Sequence, residues 1–188
     1  KNIKRLMAYS SIGNIGYALV GVAAGTEQGI AAVLVFMAIY VVMTAGVFVC
    51  ILAMRRADGQ AERIEDLSGL MATRPLLALC WIVLLFSYVG LPPLPGFFGK
   101  FYVFGAAVEQ GLWPLAVIGI LTSVVGAFYY VRLVMLMING EPGKPFEPAM
   151  GLQLRAVLGG SMAFSLAMVI VPGILVGWAA TAAAALVK

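Results

Sequence analysis

One lysine, Lys100, stands in an apolar run directly after a group of residues that cannot continue a helix. The run from Val89 to Phe104 reads VGLPPLPGFFGKFYVF. Pro92, Pro93 and Pro95, flanked by Gly90 and Gly96, interrupt any helix drawn through it, because proline has no amide proton to donate and glycine is poorly held in a helix. Lys100 follows Gly96 by four residues, where a helix can resume. A lysine well inside a membrane span carries a penalty of about 2.5–3.5 kcal/mol on insertion scales. Its charged form loses solvation there. The positive N-terminus of the following half-helix opposes the charge and the negative C-terminus of the preceding half-helix favours it. An amine so placed can take up and release a proton at moderate cost, which is the property of a proton relay. The competing reading is a lysine that snorkels to an interface; the depth of Lys100 within the 75–110 stretch argues against it. No carboxylate of the chain falls well inside a span, Glu109 standing at the very end of the third, so the partner of Lys100 is expected to be water, a backbone carbonyl or a carboxylate outside this sequence.

Other polar residues recur at helical spacing. Ser10, Ser11, Asn14 and Tyr17 lie together on the first apolar segment, Tyr40 and Thr44 are four apart on the second, and Thr122 and Ser123 sit midway along the fourth. They suit two roles, close helix packing or the lining of a hydrated path, and the residues alone leave both open. Gly13, Gly16, Gly46, Gly119, Gly126, Gly159 and Gly160 suit close packing. Tyr129 and Tyr130 read as aromatics of the interfacial belt, and Arg132 as a side chain reaching the surface.

These residues need membrane helices to hold them. Of 188 residues, 63% are hydrophobic and 11% charged; the mean hydropathy is +1.04. A soluble domain carries roughly 25% charged residues. The apolar runs reach the roughly 20 residues that a spanning helix needs. The fold class is therefore an all-α integral membrane protein with five transmembrane segments, at about 6–24, 29–54, 75–110, 112–138 and 152–186. The third is discontinuous (75–90 and 97–110), and Pro172-Gly173 kinks the fifth. A barrel would need short alternating strands, which are absent. The chain opens at Lys1 without a signal peptide, which reads as an internal start, so it is expected to be the C-terminal part of a longer protein.

Charge sets orientation. If the broken third segment crosses once, Lys1, Lys4, Arg5, Arg55, Arg56, Arg63, Arg74, Lys144 and Arg155 share one side, nine of the twelve basic residues, and Lys188 lies opposite with Glu27 and Glu109. Short basic loops stay cytoplasmic. The basic residues are thus topology signals, and nucleic acid is not an expected partner. Ile64, Leu67, Leu70 and Met71 predict a short amphipathic helix on the cytoplasmic surface. Cys50 and Cys80 lie in apolar runs and read as small hydrophobes, and there is no histidine; no metal or other cofactor is expected to be bound by this chain.

The run LPPLPGFFGKFYVF resembles the signature of the antiporter-like membrane subunits of respiratory complex I, the proton-pumping NADH:quinone oxidoreductase. The opening Asn2-Ile3-Lys4-Arg5-Leu6 with Ala8-Tyr9-Ser10-Ser11-Ile12, the loop Glu65-Asp66-Leu67-Ser68-Gly69-Leu70, and Tyr129-Tyr130 with Arg132 are similar to the same family, the subunit N branch above all. The resemblance implies a subunit of about fourteen helices built from two inverted five-helix repeats. Residues 1–138 would form most of the second repeat, and 139–188 a cytoplasmic loop and the last helix. It implies further that Lys100 is a key protonatable residue of the broken helix, that the first repeat's glutamate and lysines lie upstream, and that the partners are that upstream part, the other membrane-arm subunits and the lipid bilayer. One departure is Asn14, where related subunits often carry histidine; asparagine does not titrate and would only orient water.

The expectation is proton translocation in a bacterial inner membrane, as a non-redox subunit of a translocating NADH:quinone oxidoreductase, with the C-terminus periplasmic. Alternatives are a subunit of a multi-chain cation/proton antiporter or membrane-bound hydrogenase, an independent secondary carrier, and a passive scaffold.

Overall fold

The computed structural model describes residues 2–56, 59–147 and 150–186; the topology signals Lys1 and Lys188 lie outside the described residues. The helices are α1 (Ile3–Ala23), α2 (Glu27–Leu52), α3 (Leu70–Thr73), α4 (Pro75–Val89), α5 (Pro95–Glu109), α6 (Trp113–Asn139), α7 (Leu152–Ile170) and α8 (Pro172–Leu186). Their ends follow local chemistry. The Asn2 side chain accepts from the Arg5 amide at 3.0 Å and starts α1. The Thr26 hydroxyl accepts from the Gly29 amide at 3.1 Å and starts α2. A side-chain oxygen at such a position satisfies an amide that has no partner within the helix. Prolines open α4, α5 and α8, where the missing amide proton is not needed.

Among the described residues four helices, α1, α2, α6 and α7, are long and apolar enough to cross a membrane. The 15-residue α4 and α5 are each too short to do so and run end to end along α2. Leu84 of α4 faces Gly46, the Ser87 hydroxyl of α4 meets Met43, and Gly99 of α5 packs on Phe36, so the broken rod descends α2 in one direction. The α7–α8 rod does the same on another face. Its break falls at Val171, where Pro172 opens α8; Ser161 bonds to the Val42 carbonyl at 3.0 Å, while Val176 and Ala180 lie beside Gln28, Ala31 and Val35.

The centre of the bundle is α2, packed by α1, α4, α5, α7 and α8. Val35, Ile39, Val47, Cys50 and Ile51 are buried there. The outward faces of α1, α6 and α7 stay apolar and exposed at Ile12, Leu19, Leu121, Val124, Phe128 and Leu166. Inside a bilayer such faces meet acyl chains, so helices associate through close packing rather than water exclusion. Gly46 against Ser161 and Leu84, and Gly119 against Phe104, are contacts of that kind. Within this chain Gly13, Gly16, Gly159 and Gly160 meet no neighbour within 4 Å, and Gly126 only the Tyr130 ring at 4.0 Å.

The N-terminal end of α1 and the two polar loops meet at one end of the bundle. The Ile3 amide donates to the Glu62 carbonyl at 2.8 Å, the Gly69 amide to Leu136 at 3.2 Å, and the Glu147 amide to Arg55 at 2.8 Å. Arg56 pairs with Asp66 at 2.7 Å and covers the Phe146 ring. The surface helix expected in this loop is not formed. Two short antiparallel strands, β1 (Arg55–Arg56) and β2 (Gly59–Gln60), pair Arg55 with Gln60 and Arg56 with Gly59; a single 3-10 turn covers Ile64–Leu67 and α3 adds one turn. The helical spacing is interrupted at Ser68-Gly69, where the chain bonds to the end of α6, and Leu67 and Leu70 turn into the core instead of lying on a surface.

Candidate functional site

The break between α4 and α5 is built around three contacts. Gly90 ends α4 with φ +86°, a left-handed conformation that glycine adopts without penalty. Its amide donates to the Phe86 and Ser87 carbonyls, and the Leu91 amide donates to Phe86 at 3.1 Å. The chain then turns through Pro92 and Pro93, with Leu94 donating to Leu91 at 2.9 Å, and α5 begins at Pro95. The Gly96 amide donates to the Ser87 hydroxyl at 3.0 Å, so a side chain of α4 caps the start of α5. Any Cβ at Gly96 would collide with the Ser87 carbonyl. The two half-helices are therefore pressed together, their unwound backbone enclosed by protein as a hydrocarbon setting demands.

Lys100 reaches back across this break. Its Nζ donates to the Tyr88 carbonyl at 2.8 Å, the Val89 carbonyl at 3.1 Å and the Ser123 hydroxyl at 2.6 Å. The Tyr17 ring centre lies 4.9 Å away. Lys100 is 9% exposed, the one charged residue among the buried residues described. Its counterpart is thus the negative end of α4 and a ring face, with no carboxylate of the described residues in contact. Both carbonyl oxygens sit at a helix C-terminus, where backbone dipoles favour a cation.

A cleft of about 740 Å³ opens beside the amine, between α1 and α6. Five of the eight polar residues predicted to line a hydrated path face it: Ser10, Asn14, Tyr17, Thr122 and Ser123. Gly13, Gly16 and Gly126 also line it, and their missing side chains help keep it open. The other three do not line the cleft. Ser11 bonds back to the Met7 carbonyl at 3.0 Å. Tyr40 packs edge-on against the Tyr88 ring, and the Thr44 hydroxyl pairs with that of Tyr88 at 2.7 Å. Thr122 also turns back, donating to the Gly119 carbonyl at 2.8 Å.

Two tyrosines matter more than their sequence positions suggested. Tyr88 supplies a carbonyl to Lys100, a hydroxyl to Thr44 and part of the cleft wall. Tyr130 is buried rather than set in an interfacial belt: its hydroxyl bonds to Ser10, its ring lies 5.8 Å from that of Tyr88, and Asn14 donates to Ser10 Oγ at 3.3 Å. In the sequence Tyr130 read as a belt aromatic and as part of the family resemblance, while Tyr88, beside Ser87 and two residues ahead of Gly90, was not singled out. Tyr129 and Arg132 are exposed. Among the described residues, no three His, Cys, Asp or Glu side chains come together as a metal site requires.

A family model described as NADH:quinone oxidoreductase/Mrp antiporter, TM matches residues 1–126. The NADH-quinone oxidoreductase subunit N of Parvibaculum lavamentivorans is 57% identical over 93% of the chain, and that of Methylobacterium nodulans 55% identical over 99%. The chain spans 36% and 38% of the length of these relatives. Among solved structures, a chain of respiratory complex I from Thermus thermophilus with bound NADH superposes with a TM-score of 0.80, at 28% identity, over all of this chain and 40% of that one. A chain of the Mrp complex from Dietzia sp. superposes with a TM-score of 0.81 over 94% of this chain and 41% of that one; at 23% identity this likeness is one of fold.

Proposed function

Because the chain belongs to the NADH:quinone oxidoreductase/Mrp antiporter transmembrane family, we propose that it serves as a proton-translocating part of the membrane arm of a bacterial NADH:quinone oxidoreductase. Lys100 is the protonatable relay residue in this reading. One observation carries it: an enclosed amine, bridging a broken helix, faces a cleft wide enough for water and touches no fixed carboxylate. A permanently charged structural ion pair would be paired with an acid; this amine is held by dipoles and a hydroxyl, which tolerate either protonation state better.

The chain binds no cofactor in this reading, and electron transfer belongs to other subunits. Lys100 takes a proton from cleft water and releases it when the charge of neighbouring groups changes. The five rods each cross the bilayer once. The end where Lys4, Arg5, Arg55, Arg56, Arg63, Arg74, Lys144 and Arg155 gather is cytoplasmic, and the α8 end periplasmic. Its partners are the rest of its own subunit, the adjoining membrane-arm subunits and lipid.

The matching family model, whose description includes the Mrp antiporter, supports a second reading, a subunit of a multi-chain cation/proton antiporter. The identities above 50% with NADH-quinone oxidoreductase subunits favour the first. The deciding experiment is Lys100→Ala in the assembled complex, with proton pumping and NADH:quinone turnover measured together in vesicles. Loss of pumping with the complex assembled supports the relay. Unchanged pumping per electron would leave a passive scaffold as the better account.

A further inference from the structure

We propose that Ser123 is the residue through which Lys100 exchanges its proton with the α1–α6 cleft. The proposal rests on the reading of Lys100 as a relay and names its immediate proton partner. An ammonium has three N–H donors and no acceptor. Three oxygens face it, those of Tyr88, Val89 and the Ser123 hydroxyl, at 2.8, 3.1 and 2.6 Å. The charged form is therefore saturated.

The neutral amine differs. It keeps two donors and gains one lone pair, so one of the three contacts has to reverse direction. A backbone carbonyl only accepts. The Tyr88 and Val89 carbonyls are also fixed in place by the last turn of α4 and its Gly90 terminus. A serine hydroxyl both donates and accepts, and it turns about its Cα–Cβ and C–O bonds. Both carbonyls can go on accepting the two remaining N–H bonds, but of the three partners Ser123 alone can reverse its bond and donate to the lone pair of the neutral amine.

Lys100 also borders the cleft, but the three N–H bonds of its charged form are all taken, so a water meets the ammonium only by displacing one of those contacts. The Tyr17 ring presents a π face that attracts a cation and takes no proton. The Lys100 stem runs against Gly90, whose hypothetical Cβ would lie 3.2 Å from Cδ, so the amine has little room to swing along α4. Ser123 lines the cleft. The neighbouring Thr122 hydroxyl is engaged with the Gly119 carbonyl, and that of Tyr88 with Thr44.

The step balances without a further reactant. An N–H bond of the ammonium breaks as an O–H bond forms at Ser123 Oγ. The hydroxyl's original O–H bond breaks as its proton passes to a cleft water. The amine is left neutral, the hydroxyl now donates to it, and one positive charge has moved into the cleft. Uptake is the reverse.

The test uses the complete complex in vesicles, with Ser123→Ala, Ser123→Thr and Ser123→Val beside Lys100→Ala. Pumping in Ser123→Ala is expected to fall by about tenfold, short of the roughly hundredfold that a positioned proton acceptor contributes, because cleft water replaces part of the relay. The deuterium solvent isotope effect on pumping should rise in the same variant, as hand-off becomes limiting. Ser123→Thr, which keeps the hydroxyl, should pump well, and Ser123→Val, its match in shape, should behave like alanine. That pair keeps the comparison open if alanine impairs assembly. Equal defects in the threonine and valine variants would assign Ser123 to packing and overturn the proposal. Normal pumping by Ser123→Ala beside a defective Lys100→Ala would also overturn it while leaving the relay reading intact. Normal pumping by Lys100→Ala would remove the reading on which it stands.

Discussion

Lys100 completes the C-terminus of the helix before the break, its ammonium donating to the Tyr88 carbonyl at 2.8 Å. The last four carbonyls of a helix have no partner within it. In α4 those of Phe86 and Ser87 are met by the amides of Gly90 and Leu91, and those of Tyr88 and Val89 by Lys100. One side chain thus has two tasks, closing the helix end and carrying a titratable proton, and substitution can separate them.

Lys100→Gln keeps N–H donors near the two carbonyls but cannot exchange a proton. Lys100→Met keeps the length and loses both. The glutamine variant is expected to assemble at close to the normal level without pumping. The methionine variant should also lose stability, since each buried carbonyl stripped of its donor costs about 1–3 kcal/mol. Thermal inactivation of the purified complex, read beside pumping in vesicles, separates the two. Equal stability in both would show that the capping contacts contribute nothing.

The contact of Gly96 with Ser87 gives a second prediction. A methyl group at Gly96 has no space, because it would overlap a backbone carbonyl that cannot yield without moving α4. Gly96→Ala is expected to destabilise the subunit by roughly 1–3 kcal/mol, the range for overpacked interiors. It should also impair pumping by shifting α5, and Lys100 with it. Gly105, on the same helix, meets nothing within 4 Å. Gly105→Ala should be neutral or stabilising by up to about 1 kcal/mol through helix propensity. Assembly level and thermal midpoint for the two variants provide the check, and similar behaviour would contradict the close approach at Gly96.

The broken helix, its place in the chain and the depth of Lys100 were all legible, because proline and glycine act locally and a charge in an apolar run stands out. The partner of Lys100 was legible only as a class. A carbonyl was among the options, but that it comes from Tyr88 and Val89 depends on how two half-helices meet end to end, which spacing does not encode. The hydroxyls divided for a similar reason. Ser10 and Asn14 face the cleft because α1 leaves that side open, while Thr44 faces the buried Tyr88. Helical spacing groups residues on a face without saying what the face meets. The 55–74 loop was misread because apolar residues three and four apart also arise when single turns are pinned by tertiary contacts.

The Thr44–Tyr88 hydroxyl pair should be measurable as a coupling. The two oxygens are 2.7 Å apart, in a part of the bundle where Tyr88 is only 4% exposed. Thr44→Val and Tyr88→Phe each remove one hydroxyl with little change of shape. A double-mutant cycle on stability in detergent is expected to give a coupling of about 0.6 kcal/mol and no more than about 1.7 kcal/mol, the average and the maximum for hydrogen bonds between membrane helices. Strict additivity would mean that each hydroxyl finds another partner once its mate is removed.

At the polar end, pH should act on the anchor of the first helix. Glu62 accepts from Lys4 at 2.5 Å on one oxygen and from the Asn2 side chain at 2.7 Å on the other. The hydrogen bond from Lys4, then that from Asn2, then the charge of Lys4, hold the Glu62 carboxyl below its usual range. A carboxyl lowered in the folded state contributes stability that is complete above its unfolded pKa and is lost as pH falls through the folded value. Acidification through and below the ordinary carboxylate range should therefore loosen the start of α1, where the Ile3 amide bonds to the Glu62 carbonyl. Both side chains are about two-fifths exposed, so the effect should be modest and should shrink in high salt. Hydrogen exchange at the first turn of α1 is the measurement. Glu62→Gln should exchange faster than the parent at neutral pH, and its residual pH response, after correction for intrinsic exchange, should be flatter. Parallel curves for the two proteins would assign the anchoring to the backbone bond alone.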